Sequence, residues 1–260
     1  MKLLEGKNAL VFGLANKRSI AWGVTEALHK HGANVGISYA GEMLEKRARP
    51  LGESLGLGFI EPCDVTSDEQ IEAVAKKAEA HFGKIDILVH AIAFANRDEL
   101  TGPFYNTSRE GFTMALEISA FSFVALAKAF QPLFNPGGSI MTMTYYGSDK
   151  VVPSYNVMGV AKAALESSMR YLATDFGPQG VRVNAISAGP IRTLASAGVA
   201  SFKSLYKQFK EAAPLRQEIT IEDVGGTAVY LASDLSAKTT GEVIFVDSGY
   251  NTIAAPEIPD

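Results

Sequence analysis

A tyrosine and a lysine seven residues apart are the side chains of this sequence best suited to chemistry. Tyr155 and Lys162 stand in the stretch Tyr-Asn-Val-Met-Gly-Val-Ala-Lys. Seven residues make about two turns of an α-helix, so both side chains would lie on one helix face. A phenol can donate a hydrogen bond to a developing oxyanion, and a nearby lysine adds positive charge there. The same pattern also fits a core tyrosine and a lysine whose stem packs along an amphipathic helix.

A stretch near the amino terminus has features of a phosphate-binding turn. Gly13 follows a short apolar run, and Ser19 and Ile20 open the helical pattern that comes next. A residue without a side chain lets the backbone approach a pyrophosphate, and the first N–H groups of a helix can bind it. Gly23 would allow close packing of that helix on the strand. The usual three-glycine fingerprint is not intact, so an ordinary loop is the alternative interpretation.

Two further predicted strands end in residues that suit a bound nucleotide. Asp64 follows the third strand and could accept a hydrogen bond from an adenine amino group, or it could cap the helix that begins near Ser67. After His90 the fourth strand continues into Ala-Ile-Ala, which is small and apolar enough to lie under a ribose. We interpret His90 itself as a packed strand-end residue rather than a catalyst.

The elements that must position these residues alternate between short apolar strands and longer amphipathic helices. Such alternation predicts βαβ units and a parallel sheet covered on both faces. Pro50 should break or kink the second helix. The predicted strands are Asn8–Phe12, Asn34–Tyr39, Leu57–Pro62, Ile85–His90, Ser139–Thr144, Val181–Ile186 and Val243–Val246. The predicted helices are Ile20–His31, Met43–Leu55, Ser67–Phe82 with a capping box from Ser67 to Gln70, Glu110–Phe134, Ser154–Phe176, Val199–Ala212 and Thr220–Ala232.

We therefore predict an α/β fold, a Rossmann-like, doubly wound parallel sheet of seven strands. Residues 1–260 should form a single domain. The long segment 188–219 between strands six and seven should be a helical insertion that covers the substrate, because lids are built at the carboxyl ends of parallel strands.

The composition excludes several classes of function. Of the 260 residues, 47% are hydrophobic and 20% are charged, which supports a buried core rather than a disordered chain. The net charge of −4 disfavours nucleic acid as the main partner. Cys63 is the only cysteine and the four histidines do not match its spacing, so we expect no metal site. The best apolar run carries Glu117, Lys128 and Gln131, so we expect no membrane span, and a cytoplasmic location.

These motifs together resemble the short-chain dehydrogenase/reductase superfamily. Besides the Gly13 turn, Asp64-Val65 and the Tyr-x6-Lys pair, the stretch Val181–Thr193 is similar to that superfamily. More narrowly, the chain resembles the divergent branch of bacterial NADH-dependent enoyl-[acyl-carrier-protein] reductases of type II fatty acid synthesis. Typical superfamily members have Tyr-x3-Lys and a three-glycine turn, whereas this chain and the enoyl reductases depart from both in the same way. The resemblance covers about Leu4 to Ile253.

The resemblance implies roles for individual residues. Tyr155 would bind the thioester oxygen and stabilise the enolate, and Lys162 would bind the nicotinamide ribose. Tyr145 matches a second active-site tyrosine, although its neighbour Tyr146 is an alternative. Substrate-contacting residues would be Ala95, Tyr145 and Met158. The residues expected to contact the cofactor are Gly13, Ala15, Ser19, Ile20, Ala40, Asp64, Val65, Ile92, Lys162, Ile191, Arg192, Thr193, Leu194 and Ala195.

The resemblance also implies NADH as the cofactor, an enoyl thioester on an acidic acyl carrier protein as the substrate, and a homotetramer. Ala40-Gly41-Glu42 after the second strand has no adjacent cation for a cofactor phosphate, which favours NADH over NADPH. Two other functions remain possible. An alcohol or ketoacyl reductase would turn over a 3-oxoacyl thioester, and a catalytically silent sensor would bind NADH without turnover.

Overall fold

The computed structural model describes residues 2–193 and 202–254, with the backbone alone at 202–205. Its centre is a sheet of seven strands, which are β1 Asn8–Phe12, β2 Asn34–Tyr39, β3 Phe59–Pro62, β4 Ile85–His90, β5 Phe134–Thr144, β6 Arg182–Ala188 and β7 Val243–Val246. The strand order is β3-β2-β1-β4-β5-β6-β7, and every neighbouring pair is parallel. The chain moves outward in one direction from β1 to β3 and then in the other from β4 to β7. The sheet is therefore doubly wound, as predicted.

Helices cover both faces of the sheet because successive strand residues point to opposite faces. Ala9 and Val11 of β1 pack in one core, and Leu10 and Phe12 pack in the other. The helices are α1 Ile20–Lys30, α2 Gly41–Ser54, α3 Asp68–Phe82, α4 Arg109–Leu116, α5 Ser122–Phe130, α6 Asn156–Phe176, α7 Phe202–Ala212 and α8 Ile221–Ala232. The first core includes residues of α1, α2 and α8, and the second includes residues of α3, α5 and α6.

Side-chain caps begin several helices where the sequence predicts them. Thr220 and Asp223 form a reciprocal capping box at α8. At α3 the Ser67 hydroxyl accepts from the Gln70 N–H, but the Gln70 side chain accepts from the Asp64 N–H instead of returning to Ser67. The predicted capping box at α3 is therefore only half formed, because the Gln70 side chain is bonded to the Asp64 N–H.

The prediction of one continuous helix over Glu110–Phe134 is wrong. It is divided into α4 and α5 by a π-helical turn at Glu117–Phe121, and it ends in a 3₁₀ turn at Gln131–Leu133. A π turn inserts one residue, which redirects the side chains that follow without removing the apolar pattern. The stretch Arg109–Leu133 is long and apolar enough to cross a membrane by length and composition alone, yet α5 belongs to the core beside the sheet.

Two other helices differ from their predicted bounds. α2 continues through Pro50. The missing N–H of Pro50 leaves the Lys46 carbonyl without its helical bond, but Lys46 is exposed, so water can donate to that carbonyl instead. α6 begins at Asn156 rather than Ser154, because Ser154 and Asn156 have φ of +60° and +36° and interrupt the helical backbone. For the predicted helix Val199–Ala212, α7 accounts for Phe202–Ala212, and residues 199–201 lie outside the described residues.

Candidate active site

The carboxyl ends of β1, β4, β5 and β6 lie along one edge of the sheet, since these strands are parallel neighbours. Gly13 follows β1, Ala91 follows β4, and Tyr145 follows β5. The winding direction of the chain reverses between β1 and β4. A crevice at such a reversal is where open α/β sheets bind ligands.

Gly13 makes the turn after β1 possible in two ways. Its φ of +97° is a conformation that residues with a side chain rarely adopt. A Cβ atom at this position would also collide with the carbonyl oxygen of Ala91. The Gly13 and Leu14 N–H groups both donate to the Ser38 carbonyl, at 3.0 and 3.1 Å. The turn is therefore held close to both β2 and β4.

The turn leads into the amino terminus of α1, which is suited to an anion. Ser19 is the cap residue, its hydroxyl accepts from the Trp22 N–H, and the first turn carries no acidic side chain. The N–H groups of Ile20 and Ala21 have no partner within the helix because of their position in its first turn. Ala15 is half-buried between Gly13 and Ser19. The predicted pyrophosphate residues are thus brought together.

The predicted adenosine residues lie at the ends of β2 and β3. Ala40 is exposed and precedes α2 without a side-chain cap, and Val65 is buried. One carboxylate oxygen of Asp64 accepts from the backbone N–H and the hydroxyl of Thr66, at 3.0 and 2.8 Å. Asp64 therefore orders the approach to α3. Asp64 does not cap α3, because Ser67 is the cap residue, and its bond to an adenine amino group stays a prediction.

Three tyrosines meet at the carboxyl end of β5. The rings of Tyr145 and Tyr155 pack edge to face with centroids 5.0 Å apart, and the ring of Tyr146 lies 4.8 Å from that of Tyr145. The Tyr145 hydroxyl is buried and has no hydrogen-bond partner among the described residues. Burial raises the pKa of both Tyr145 and Tyr155. Both phenols are therefore neutral hydrogen-bond donors across the physiological range.

Lys162 is a buried residue of α6 that reaches the end of β5. It is 5% exposed, and its ammonium donates to the Met143 carbonyl at 2.8 Å. Two further N–H groups remain for a ligand, since an ammonium carries three donors. Burial lowers the pKa of Lys162 to about 8, against an opposing effect of Glu166.

His90 is a packed strand-end residue, in agreement with its sequence interpretation. Its side chain is fully buried, with Nδ1 2.8 Å from the Thr142 hydroxyl and Nε2 2.9 Å from the Ser122 hydroxyl. The Ser122 hydroxyl donates to the Ile118 carbonyl, so we assign the ring proton to Nε2, which donates to Ser122. Burial, reinforced by the charge of Lys162, lowers the pKa of His90 to about 3.

Two of the three predicted substrate residues, Ala95 and Met158, share one apolar cluster, and the third, Tyr145, packs on Tyr155 at its border. Ala95 and Tyr155 pack against a small core that contains Met158 together with Leu100, Ala115 and Val157. This cluster is separate from the two cores that flank the sheet. An apolar wall beside a phenol suits an acyl chain whose carbonyl must be hydrogen-bonded.

The predicted nicotinamide residues follow β6. Ile191 is buried, the Thr193 N–H donates to the Ile191 carbonyl, and the Arg192 guanidinium lies 4.4 Å from the ring centre of Tyr206 on α7. Arg192 thus connects the end of β6 with α7. Leu194 and Ala195, also predicted to contact the cofactor, lie outside the described residues.

Three residues near the site were missed by the sequence analysis. Glu166 is four residues beyond Lys162 and accepts from the Thr144 hydroxyl at 2.6 Å; its helical spacing from Lys162 could have signalled it. The buried Ser119 hydroxyl binds both the N–H and the carbonyl of Phe94, at 2.9 and 3.0 Å. Tyr250 packs 5.5 Å from Tyr146. The contact of Ser119 depends on the π turn, and the contact of Tyr250 depends on a loop that is distant in the sequence. Neither leaves a local signal in the sequence.

An anion-binding turn on one side of the crevice and a buried phenol–lysine pair on the other are what a nicotinamide-dependent reductase requires. The fold and the site together define the short-chain dehydrogenase/reductase class.

Comparisons with known proteins narrow that class. A family model described as enoyl-(acyl carrier protein) reductase matches residues 13–251. The enoyl-[acyl-carrier-protein] reductase [NADH] 1 of Rhizobium meliloti is 51% identical over 260 residues, which cover 99% of this chain and 96% of the relative. The crystal structure of the Bacillus cereus enoyl-acyl carrier protein reductase with NADP⁺ and indole naphthyridinone superposes with a TM-score of 0.96 at 51% identity, covering 98% of this chain and 100% of that one.

A third relative is the enoyl-(acyl-carrier-protein) reductase of Anaplasma phagocytophilum, whose structure was solved in complex with NAD. It has a TM-score of 0.95 and 47% identity, and the match covers 98% of each chain. The chain therefore belongs to the enoyl-[acyl-carrier-protein] reductase family.

Proposed function

We propose that this protein is an NADH-dependent enoyl-[acyl-carrier-protein] reductase, which reduces the trans-2 double bond of an enoyl thioester during fatty acid elongation. The observation that carries the proposal is the contact of Tyr155 and Tyr145 beside the buried Lys162. NADH, when bound, supplies the hydride that reaches Cβ of the substrate. The family membership and the NADH dependence named for its relatives support the same reaction.

The residues of the crevice fit a dinucleotide. The Gly13 turn and the first N–H groups of α1 would hold the diphosphate, because the first turn of α1 offers backbone donors and carries no acidic side chain. The two unused N–H groups of Lys162 would bind ribose hydroxyls. Asp64, Val65 and the exposed Ala40 would border the adenosine.

Tyr155 would stabilise the transition state. Hydride addition at Cβ places negative charge on the thioester oxygen, which is several bonds away from the carbon that receives the hydride. A neutral phenol held in a dry apolar wall can donate to that oxygen with little reorganisation. The unpartnered hydroxyl of Tyr145 is a second donor available to the substrate. We therefore assign the second active-site position to Tyr145 rather than Tyr146.

The acyl chain would run along Ala95 and Met158, and segment 188–219 would cover it. In support, Tyr206 and Phe209 of α7 are buried against the body of the protein. The acyl carrier protein would dock beside this segment, where Lys207 is exposed. Lys210 is paired with Glu218 at 3.2 Å, which offsets its charge.

The assembly would be a homotetramer in the cytoplasm. A groove along α4 and the π turn is lined by apolar side chains that include Phe112, Leu116 and Phe121. Phe121 is 57% exposed, and Tyr171 on α6 is 75% exposed. Large exposed apolar groups on neighbouring helices are typical of subunit contacts.

One comparison of substrates tests the reaction. NADH oxidation should be rapid with crotonyl thioester and absent with acetoacetyl thioester. Turnover of acetoacetyl thioester alone would indicate a ketoacyl reductase, and NADH binding without turnover of either would indicate a sensor.

A further inference from the structure

Two side chains of α6, one turn apart, bind consecutive residues at the end of β5. The Lys162 ammonium donates to the Met143 carbonyl at 2.8 Å, and the Glu166 carboxylate accepts from the Thr144 hydroxyl at 2.6 Å. The next residue along the chain is Tyr145. The same two bonds therefore attach α6 to the strand end that presents the tyrosines.

Glu166 is the carboxylate that acts on both donors of the site. Its negative charge raises the pKa of Lys162 against the effect of burial, and it adds to the effect of burial in raising the pKa of Tyr155. The bond from Thr144 holds the carboxylate in this place. Thr144 is itself buried, so the bond is shielded from competing water.

The other titratable groups around Lys162 do not replace this charge. His90 on β4 is neutral above its pKa of about 3. Tyr155 at the start of α6 and Tyr145 after β5 are neutral phenols, and β5 contributes only the Met143 carbonyl and the Thr144 hydroxyl. Among the described residues, Glu166 is the charged group that acts on the pKa of Lys162.

We propose that Glu166, oriented by Thr144, is a positioning residue that holds the ammonium of Lys162 in its donating form for the cofactor. The inference rests on the proposed function, because it assigns Lys162 to the cofactor and Tyr155 to the substrate. It adds a residue that would touch neither ligand.

The test measures NADH affinity by fluorescence between pH 6 and pH 10 for the wild type and for Glu166→Gln. The substitution keeps the size of the side chain and removes its charge. We expect equal affinity at pH 6 and a loss of about tenfold at pH 8–9, because the pKa of Lys162 falls when the carboxylate is removed. The alkaline limit of turnover should fall with it.

Two variants and one control complete the test. Glu166→Asp should restore most of the affinity at pH 8–9, and Thr144→Val should produce a smaller loss in the same direction. Asp175→Asn removes an equal charge from an exposed position on α6 and should leave the pH profile unchanged. If Glu166→Gln does not fold, the profiles of Glu166→Asp and Thr144→Val decide the question.

An unchanged pH profile, or a loss of affinity that is uniform from pH 6 to pH 10, would overturn the role of Glu166. Failure of the proposed reaction is seen separately, because the wild type would then bind NADH without oxidising it on addition of crotonyl thioester.

Discussion

The ring of Tyr145 meets the ring of Tyr155 edge to face, with the two centroids 5.0 Å apart. One residue follows the central strand β5, and the other stands directly before α6. Edge-to-face packing fixes both rings without using either hydroxyl. The packing therefore leaves both hydroxyls available for the substrate contacts that we propose.

Replacement of Tyr155 by Phe tests its role in turnover. Tyr155→Phe keeps the ring contact and removes the hydroxyl, so turnover of crotonyl thioester should fall by about 10²–10³. The dissociation constant of NADH should change little, because Lys162 and the α1 turn are untouched. Tyr146→Phe is the matched control and should keep most of the turnover. Full turnover of Tyr155→Phe would transfer the role to Tyr145 or Tyr146.

The strands could be predicted from the sequence because they are continuous apolar runs. A strand buried on both faces has no polar alternation, and β1 and β4 show this in Ala9–Phe12 and Ile87–Val89. The π turn at Glu117–Phe121 could not be predicted, because one inserted residue leaves an apolar helix apolar. It is nevertheless what directs Ser119 towards Phe94.

The residue types of the site could be predicted from the sequence, but the positions of their side chains relative to one another could not. Tyr155 does not stand on the helix with Lys162, because positive φ at Ser154 and Asn156 places it at the cap position. A positive φ at a serine is set by the surrounding structure rather than by local propensity. The choice of Tyr145 over Tyr146 likewise required the position of its buried hydroxyl.

The residues at the end of β2 should make the enzyme prefer NADH to NADPH. A phosphate on the adenosine ribose would meet Glu42 there, and Arg49 is occupied by Glu45 at 2.9 Å and by the Tyr39 hydroxyl at 3.2 Å. We expect a strong preference for NADH in the ratio of specificity constants. NADP⁺ is present in the Bacillus cereus structure, so both cofactors should be measured at saturating enoyl thioester. A preference for NADPH would contradict this interpretation.

The buried charge of Lys162 should lower stability. The pKa of Lys162 is about 8 in the folded protein against 10.5 for an ordinary lysine. Folding therefore opposes protonation, at a cost of roughly 3 kcal/mol below pH 8 that disappears as the pH rises to about 10.5. Lys162→Met also loses the bond to Met143, so it should raise the free energy of unfolding at pH 7 by about 1–2 kcal/mol.

Chemical denaturation of Lys162→Met and the wild type at pH 7 and pH 10 measures this cost. The difference in the free energy of unfolding should shrink at the higher pH. The variant should also bind NADH much more weakly at pH 7. A variant less stable than the wild type at pH 7 would show that the bond to Met143 outweighs the cost of burying the charge.

Assembly should depend on the exposed face of α4, the π turn and α6. Several apolar residues of α5 and α6, including Phe123, Leu165 and Met169, are fully buried within one chain, so they leave Phe121 and Tyr171 as the stronger candidates. Light scattering at micromolar concentration should give a tetramer for the wild type and a smaller species for Phe121→Arg. Met43→Arg introduces the same charge at an exposed apolar residue of α2 and should keep the tetramer. A monomeric wild type would contradict the proposed assembly.

The docking of the acyl carrier protein should depend on lysines of α7. Lys207 pairs with Glu211 only at 3.8 Å, and both side chains are mostly exposed, so its charge remains available to an acidic partner. Lys203 is four residues earlier in the sequence and is expected on the same helix face. The double variant Lys203→Glu and Lys207→Glu should raise KM for the carrier-bound enoyl substrate, and more so at low salt, because salt screens the contact. KM for crotonyl-coenzyme A should change little.

The matched control reverses the charges of the exposed Lys30 and Lys76, and it should leave both KM values unchanged. Equal increases for the two substrates would mean that segment 188–219 itself had been disturbed, and no change in either would remove these lysines from docking.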